Sequence, residues 1–155
     1  MEGNTISKPI GKVVSVNRSF QRGLQKKPVG YGYFKLGVGM AGDAHSNPAE
    51  PELQVSLLAH EDYPSSEKKI PLGMFGENIT TQGINISSLG IGTQLYIGRE
   101  VLLQIGQIGK DCHEENKNKG MTEQCHISTH GVFAYVRAEG EVSEGDEIRI
   151  IKPDL

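Results

Sequence analysis

The chain has few cysteines, little net charge and no long apolar run, and each of these shortages excludes something. Two cysteines in 155 residues cannot build a disulfide framework. A net charge of −3 leaves no general electrostatic footprint for nucleic acid or an anionic membrane surface. No apolar stretch approaches the roughly 20 residues that span a bilayer, and the opening MEGNTISKPIGKVV has no apolar secretory core. The expectation is a cytoplasmic, reducing location with free thiols. Phosphate-loop and dinucleotide fingerprints are missing. Ser65-Ser66 and Ser87-Ser88 have no nucleophile-elbow spacing, and no lysine sits in a Schiff-base context.

What the chain does have is turns. Twenty glycines and seven prolines favour many short strands over long helices. The length suits one domain, residues 1–155 with a core of about 11–152, able to bury roughly two-thirds of its unfolded surface. Residues Ile10 to Val16 read as a first strand, and Asn17 to Tyr33 as a polar, glycine-rich loop. Leu53 to Ala59 reads as a buried strand running into a short helix or turn at His60 to Tyr63, which Pro64 limits. Asn78 to Thr81 begins a further strand. Gln94 to Ile97 and Val101 to Ile108 form a hairpin joined at Gly98-Arg99. Cys112 to Gln124 is a polar surface excursion, Val132 to Ala138 alternates well, and Glu147 to Ile151 closes the chain. Ile91 to Gly98 and Glu144 to Ile151 echo each other weakly, each placing a turn before an alternating strand. The expected class is mostly β: six to nine short strands in a compact, partly closed barrel with a few short helices.

Two strings carry the chemistry: GMFGENITTQGI (Gly73 to Ile84) and QIGKDCHE (Gln107 to Glu114). Cys112 follows an apolar strand, and nearby positive charge from Lys110 and His113 lowers a thiol pKa while Asp111 opposes it. A buried structural cysteine is the plain alternative. In Gly76-Glu77-Asn78, glycine permits close backbone approach, and asparagine offers donors and an acceptor to a mixed heterocycle edge; a plain turn is the alternative. Lys26, Lys27, Arg22 and Arg18 can act as phosphate contacts or simply form a solvated basic loop. Asp43 and His45 beside Gly42 can hold a cofactor or stabilise a turn. Cys112, His113, Cys125, His126 and His130 fall within nineteen positions, but adjacent Cys-His pairs fit zinc spacing poorly.

Taken jointly, KKPVG (26–30), AGDAH (41–45), QVSLLA (54–59), FGENITTQGI (75–84), LGIGTQLYIG (89–98), QIGKDCH (107–113), GVFAYV (131–136) and the terminal EGDEIRI resemble the MOSC family, the domain found at the C-terminus of molybdenum cofactor sulfurases, in its small stand-alone bacterial form. The resemblance implies a β-barrel-like fold with a cleft for a molybdopterin-type cofactor. It puts the family's motif cysteine, a molybdenum ligand or carrier of activated sulfur, on Cys112. Its cofactor-binding steps fall on Gly76, Glu77 and Asn78, with Thr80 beyond them, and on Gly42, Asp43 and His45. Lys26 and Lys27 would serve the phosphate.

Three departures qualify the match: Asn116 stands where many relatives carry a second cysteine, Leu53 where an arginine is often found, and HISTHG (126–131) replaces a Met-Pro-Arg-Glu pattern. The implied function is binding of the molybdenum cofactor, with sulfur handling or molybdenum ligation through Cys112 in cofactor maturation or sulfur transfer. Sulfur-carrier or sulfurtransferase-type activity is one expectation. A sulfur donor or cofactor-biosynthesis protein would be a separate partner. A non-catalytic cofactor- or partner-binding module and a small zinc or thiol-metal protein using Cys112, Cys125 and His130 are the alternatives.

Overall fold

The computed structural model describes residues 4–19, 21, 25–43, 54–64, 69–109 and 130–153. Among them are twelve strands: β1 (Asn4–Ile6), β2 (Gly11–Arg18), β3 (Lys27–Pro28), β4 (Tyr31–Lys35), β5 (Gly39–Met40), β6 (Val55–Ala59), β7 (Ile79–Gln82), β8 (Gln94–Ile97), β9 (Val101–Ile108), β10 (Val132–Ala138), β11 (Gly140–Ser143) and β12 (Glu147–Pro153). Single 3-10 turns occupy His60–Asp62 and Ile86–Ser88. The strand count exceeds the six to nine expected from sequence. The mostly-β barrel class is as expected.

The large sheet runs β1-β12-β8-β9-β10-β6-β7-β2-β3, and β12 also pairs with β2 through Glu147 opposite Lys12 and Ile148 opposite Gly11. That pairing closes seven strands, β2 to β12, into a barrel. Closure leaves β1 and β3 as short outer attachments and removes long free edges. The two echoing strings become neighbours, because β8 and β12 pair antiparallel with Ile97 opposite Ile148. A three-stranded sheet, β11-β4-β5, packs alongside.

Alternation explains the interior. Val16, Leu57, Ile79, Leu95, Ile97, Leu103, Ile105, Val132, Ala134 and Ile148 are buried together as the main core. Each large apolar side chain of this kind contributes about 1.5–3 kcal/mol on leaving water.

Part of the stretch read as a loop, Asn17 to Tyr33, is sheet. β3 lies in it, and its last residues enter β4. The alternation of β4, exposed-buried-exposed-buried-exposed, is hidden in sequence because one inward residue is Gly32. A Cβ there would lie 2.4 Å from the Met40 Cε, so methionine fills the space that a strand side chain would normally take. The β8–β9 hairpin also turns over three residues, Gly98 to Glu100, rather than two.

The pairing that shapes the polar interior is the parallel one. β6 and β7 run in the same direction, with Leu57 opposite Ile79 and Ala59 opposite Thr81. Parallel neighbours need a long crossover, and residues 60–78 supply it. A second apolar cluster, Leu58, Phe75 and Phe133 with Tyr63 and Ile70, ties this crossover to β6 and β10. Phe75 meets Tyr63 edge-on at 4.8 Å between ring centres.

Candidate functional site: a buried polar cluster under the crossover

The crossover returns to the barrel through a tight corner. Gly73 and Gly76 both have positive φ, +85° and +89°, and the Gly76 amide donates to the Gly73 carbonyl at 3.0 Å. A side chain at Gly73 would collide with Asn17 Cγ and the Lys26 carbonyl, both at 2.9 Å. At Gly76 a Cβ would meet nothing within 4 Å. The corner is therefore pressed onto β2 at one end and open at the other.

Glu77 comes next and is wholly buried. Tyr63 and Thr80 donate hydroxyl hydrogen bonds to its Oε2, the latter at 2.8 Å. Tyr63 in turn accepts the Gly73 amide at 3.1 Å. Asn17 Nδ2 donates to Thr80 Oγ1 at 3.0 Å and to the Glu77 carbonyl at 3.1 Å. Burial pushes the Glu77 carboxyl above its ordinary range. Hydrogen bonds from Tyr63, Thr80 and nearby backbone amides oppose this and lose. Tyr63 is pushed up as well, first by burial and then by the Glu77 charge. Two acceptors of this network, Glu77 Oε1 and Asn17 Oδ1, are buried without a hydrogen-bond partner among the described residues.

Asn78 is buried too, and its side chain works inward. Its Oδ1 accepts the Ser56 amide at 3.1 Å and the Ser56 hydroxyl at 3.3 Å. Its Nδ2 reaches the Asn17 carbonyl at 3.4 Å and the Met40 sulfur at 3.6 Å. Its backbone links β6 and β2, donating to the Ser56 carbonyl at 2.9 Å and accepting the Asn17 amide at 2.7 Å. Asn78 thus pins the corner to both flanking strands.

Lys26 and Asp43 form a second buried pair, Nζ to Oδ2 2.7 Å, with side chains 5% and 1% exposed. Asp43 Oδ1 accepts the Ser19 amide at 2.9 Å. Burial alone would raise the Asp43 pKa, but the Lys26 charge and the hydrogen bonds overcome it and hold it below the usual range. Gly42, exposed at φ +80°, turns the chain beside Arg18, whose Nη1 would lie 3.0 Å from a Cβ there. Lys27 is exposed on β3.

Of the residues singled out in sequence, Lys26, Asp43, Glu77, Asn78 and Thr80 fall in one buried neighbourhood, with Gly42 and Gly76 on turns at its border. Cys112, Lys110, His113 and His45 lie outside the described residues, as do Arg22, Cys125 and His126. His130 is half-buried just before β10. No three His, Cys, Asp or Glu among the described residues group as a metal site. Sequence reasoning missed Tyr63, Asn17 and Ser56. The only local hint was a tyrosine beside the short turn, with nothing to say that it reaches a glutamate fourteen residues on.

The strand order also places together the described residues on either side of the cysteine segment. β9, β10 and β6 are consecutive, and Gln107, Phe133 and Ser56 stand opposite one another across them. The chain leaves β9 at Gly109 and rejoins at His130, and the Gly109 amide donates to the Gly131 carbonyl at 2.7 Å. The segment holding Cys112 therefore begins and ends on the strand pair next to β6, the strand that carries Ser56.

The overall fold is shared by several solved structures. The YuaD protein from Bacillus subtilis superposes with a TM-score of 0.72 at 17% identity, covering 98% of this chain and 99% of that one. YiiM from Geobacillus stearothermophilus gives 0.68 at 15%, covering 92% and 75%. YiiM from Escherichia coli gives 0.61 at 18%, covering 93% and 70%. At these identities the likeness establishes the fold. The MOSC domain family model matches residues 44–149, well over half of the chain, and the chain belongs to that family. The family is associated with the molybdenum cofactor. No curated protein matches the chain. No helix among the described residues is long and apolar enough to cross a membrane.

Proposed function

We propose that this protein binds a molybdopterin-type cofactor and uses Cys112 to hold sulfur or to ligate molybdenum, in cofactor maturation or sulfur transfer. The observation that carries the reading is the strand order β9-β10-β6-β7-β2. It makes neighbours of the strands flanking the Cys112 segment, the Gly76-Glu77-Asn78 corner and the Lys26–Asp43 pair, although these are far apart in sequence. The donor set suits such a ligand. Exposed Lys27 offers a cation to a phosphate. The buried cluster offers acceptors to a heterocycle, and a soft thiolate is the protein ligand that molybdenum or activated sulfur favours. When bound, the cofactor supplies the redox-active metal and its dithiolene sulfurs.

The chain's own residues have positional tasks in this reading. Asn78 and Ser56 fix the corner, Lys26 and Asp43 fix the turn from which the His45 segment departs, and Lys110 and His113 favour the Cys112 thiolate. The sulfur donor and acceptor are separate proteins. The test is native mass spectrometry of anaerobically purified protein beside Cys112→Ser. A molybdopterin-sized mass, or a sulfur adduct on Cys112 lost in the variant, is the expected result. A bare chain that takes up no added cofactor removes the reading. Stoichiometric cofactor with an inert Cys112 leaves a non-catalytic binding module.

That module is favoured by one feature. Lys26, Asp43 and Asn78 spend their polar groups on other parts of the protein, so among the described residues the cluster keeps few charges for turnover chemistry.

A further inference from the structure

The outward face of the small sheet leaves apolar surface uncovered. Tyr31 and Tyr33 point outward from β4 and are 61% and 44% exposed, and Leu36, just past the strand, is 54% exposed. Single exposed apolar residues are ordinary. Three such side chains between positions 31 and 36, two of them aromatic, form a patch of the kind that marks a contact surface. The other face of the sheet is taken, since Phe34, Met40 and Val142 pack into the core.

Carboxylates border the tyrosines. Glu141 on β11 stands opposite Tyr33, and directly opposed residues share a face. Glu139 is exposed, yet both its oxygens are held: Oε2 accepts the Tyr33 hydroxyl at 2.7 Å and Oε1 the Leu36 amide at 3.2 Å. Glu100 Oε1 accepts the Glu141 amide at 3.2 Å. Glycine at position 140 makes room for Glu100, because a Cβ there would lie 2.3 Å from the Glu100 Cβ. The charges of Glu139 and Glu100 both act on Tyr33. The outward row of β4 and β11 carries one cation, Lys35. Arg137 is turned to the Tyr135 ring on β10, 5.7 Å from its centre.

The geometry also selects the mode of contact. A strand adds to the free edge of β11 only through its outward amides. Two of these, on Glu141 and Ser143, already donate to Glu100 and, at 2.8 Å, to Asp146 Oδ2. Side-chain caps of this kind close an edge to strand addition. The face itself remains, to be read by side chains. Tyrosine rings attract a cation over their faces, and carboxylates take a guanidinium in paired hydrogen bonds. Arginine meets both demands at once, where lysine offers a point charge. Carboxylates that are already held in place give up little freedom on binding. We propose that Tyr31, Tyr33 and Leu36, bordered by Glu100, Glu139 and Glu141, form a docking surface for a partner protein that presents arginine side chains. The proposal is independent of the cofactor reading.

The probes are an alternating Arg-Gly peptide and a Lys-Gly peptide of equal length and charge. Each is titrated into the isotope-labelled full chain at physiological ionic strength and followed by amide NMR shifts. The Arg-Gly peptide is expected to shift β4 and β11 amides and to bind about three- to tenfold more tightly than the Lys-Gly peptide. Tyr31→Ala and Glu141→Gln, both at exposed positions outside the core, each weaken it about threefold or more. Glu61→Gln makes the same charge change in the crossover turn and leaves the affinity unchanged. Equal affinity for the two peptides, shifts centred elsewhere, Tyr31→Ala and Glu141→Gln variants that bind like wild type, equal weakening by Glu61→Gln, or no saturable shift at millimolar peptide each overturns the proposal. So does a concentration-dependent dimer in sedimentation velocity that Tyr31→Ala abolishes, because a second copy then covers the face. None of these outcomes bears on the native mass measurement, so the cofactor reading stands or falls separately.

Discussion

Asp43 and Glu77 are both buried carboxylates beside β2, and they are opposites. Asp43 meets the Lys26 ammonium at 2.7 Å and is held below its ordinary pKa. Glu77 meets hydroxyls and backbone amides, and burial pushes it above its own. The first is a finished ion pair that locks two turns together. The second is an unfinished network with spare acceptors. Burial raises the cost of charge in both places; a cation in hydrogen-bonding contact decides which carboxylate stays comfortably ionised.

The contrast breaks most severely at Lys26. Lys26→Met leaves Asp43 buried without its cation and is expected to lose about 3–5 kcal/mol in urea denaturation at neutral pH. A loss under about 1 kcal/mol would mean that the pair is not buried in solution.

The corner comes next. Gly73→Ala combines positive φ with contacts of 2.9 Å to Asn17 and to the Lys26 backbone, and is expected to cost about 2–3 kcal/mol. Gly76→Ala has the same φ problem but open space, so its cost stays near about 1 kcal/mol. Thermal unfolding of the two variants should rank them in that order, and equal costs would remove the claim that the corner presses on β2 at one end only.

Tyr63→Phe deletes a donor to Glu77 and the acceptor of the Gly73 amide, and is expected to cost about 1–2 kcal/mol by urea denaturation. No change in midpoint would show that neither bond contributes.

The smallest effect concerns pH and has opposite signs at the two carboxylates. Asp43, depressed in the fold, contributes stability that is present above its unfolded value near 3.8 and lost as pH falls through its lower folded value. Glu77, raised in the fold, contributes stability that is complete below its unfolded value near 4.5 and lost as pH climbs through its folded value. The two slopes together give a maximum in mildly acidic solution. Glu77→Gln should flatten the decline above that maximum and leave the acid limb unchanged. A wild-type decline that persists in the variant would assign it to another group.

Much of the barrel was legible in the chain. VSLLA, QLYI, VLLQIGQI and VFAYVRA carry their strand character in apolar alternation or continuous apolar runs, and Gly-rich turns mark their limits. β4 was harder, since Gly32 erases its alternation and the compensating side chain, Met40, sits on another strand. The site was legible as residues and illegible as partners. Glu77 and Asn78 stood out locally. That Asn78 would spend its side chain on Ser56 and Asn17, and that Lys26 would be buried rather than offered to solvent, depended on contacts between residues 17 to 61 positions apart.

Local patterning, then, was enough for the longer barrel strands and most of their limits, because alternation and glycine conformation act over a few residues. The parallel β6–β7 pairing, the crossover it requires and the contrast between Asp43 and Glu77 came from closure of the barrel. Burial and the distance to a countercharge are properties of the packed whole, and no window of sequence holds them.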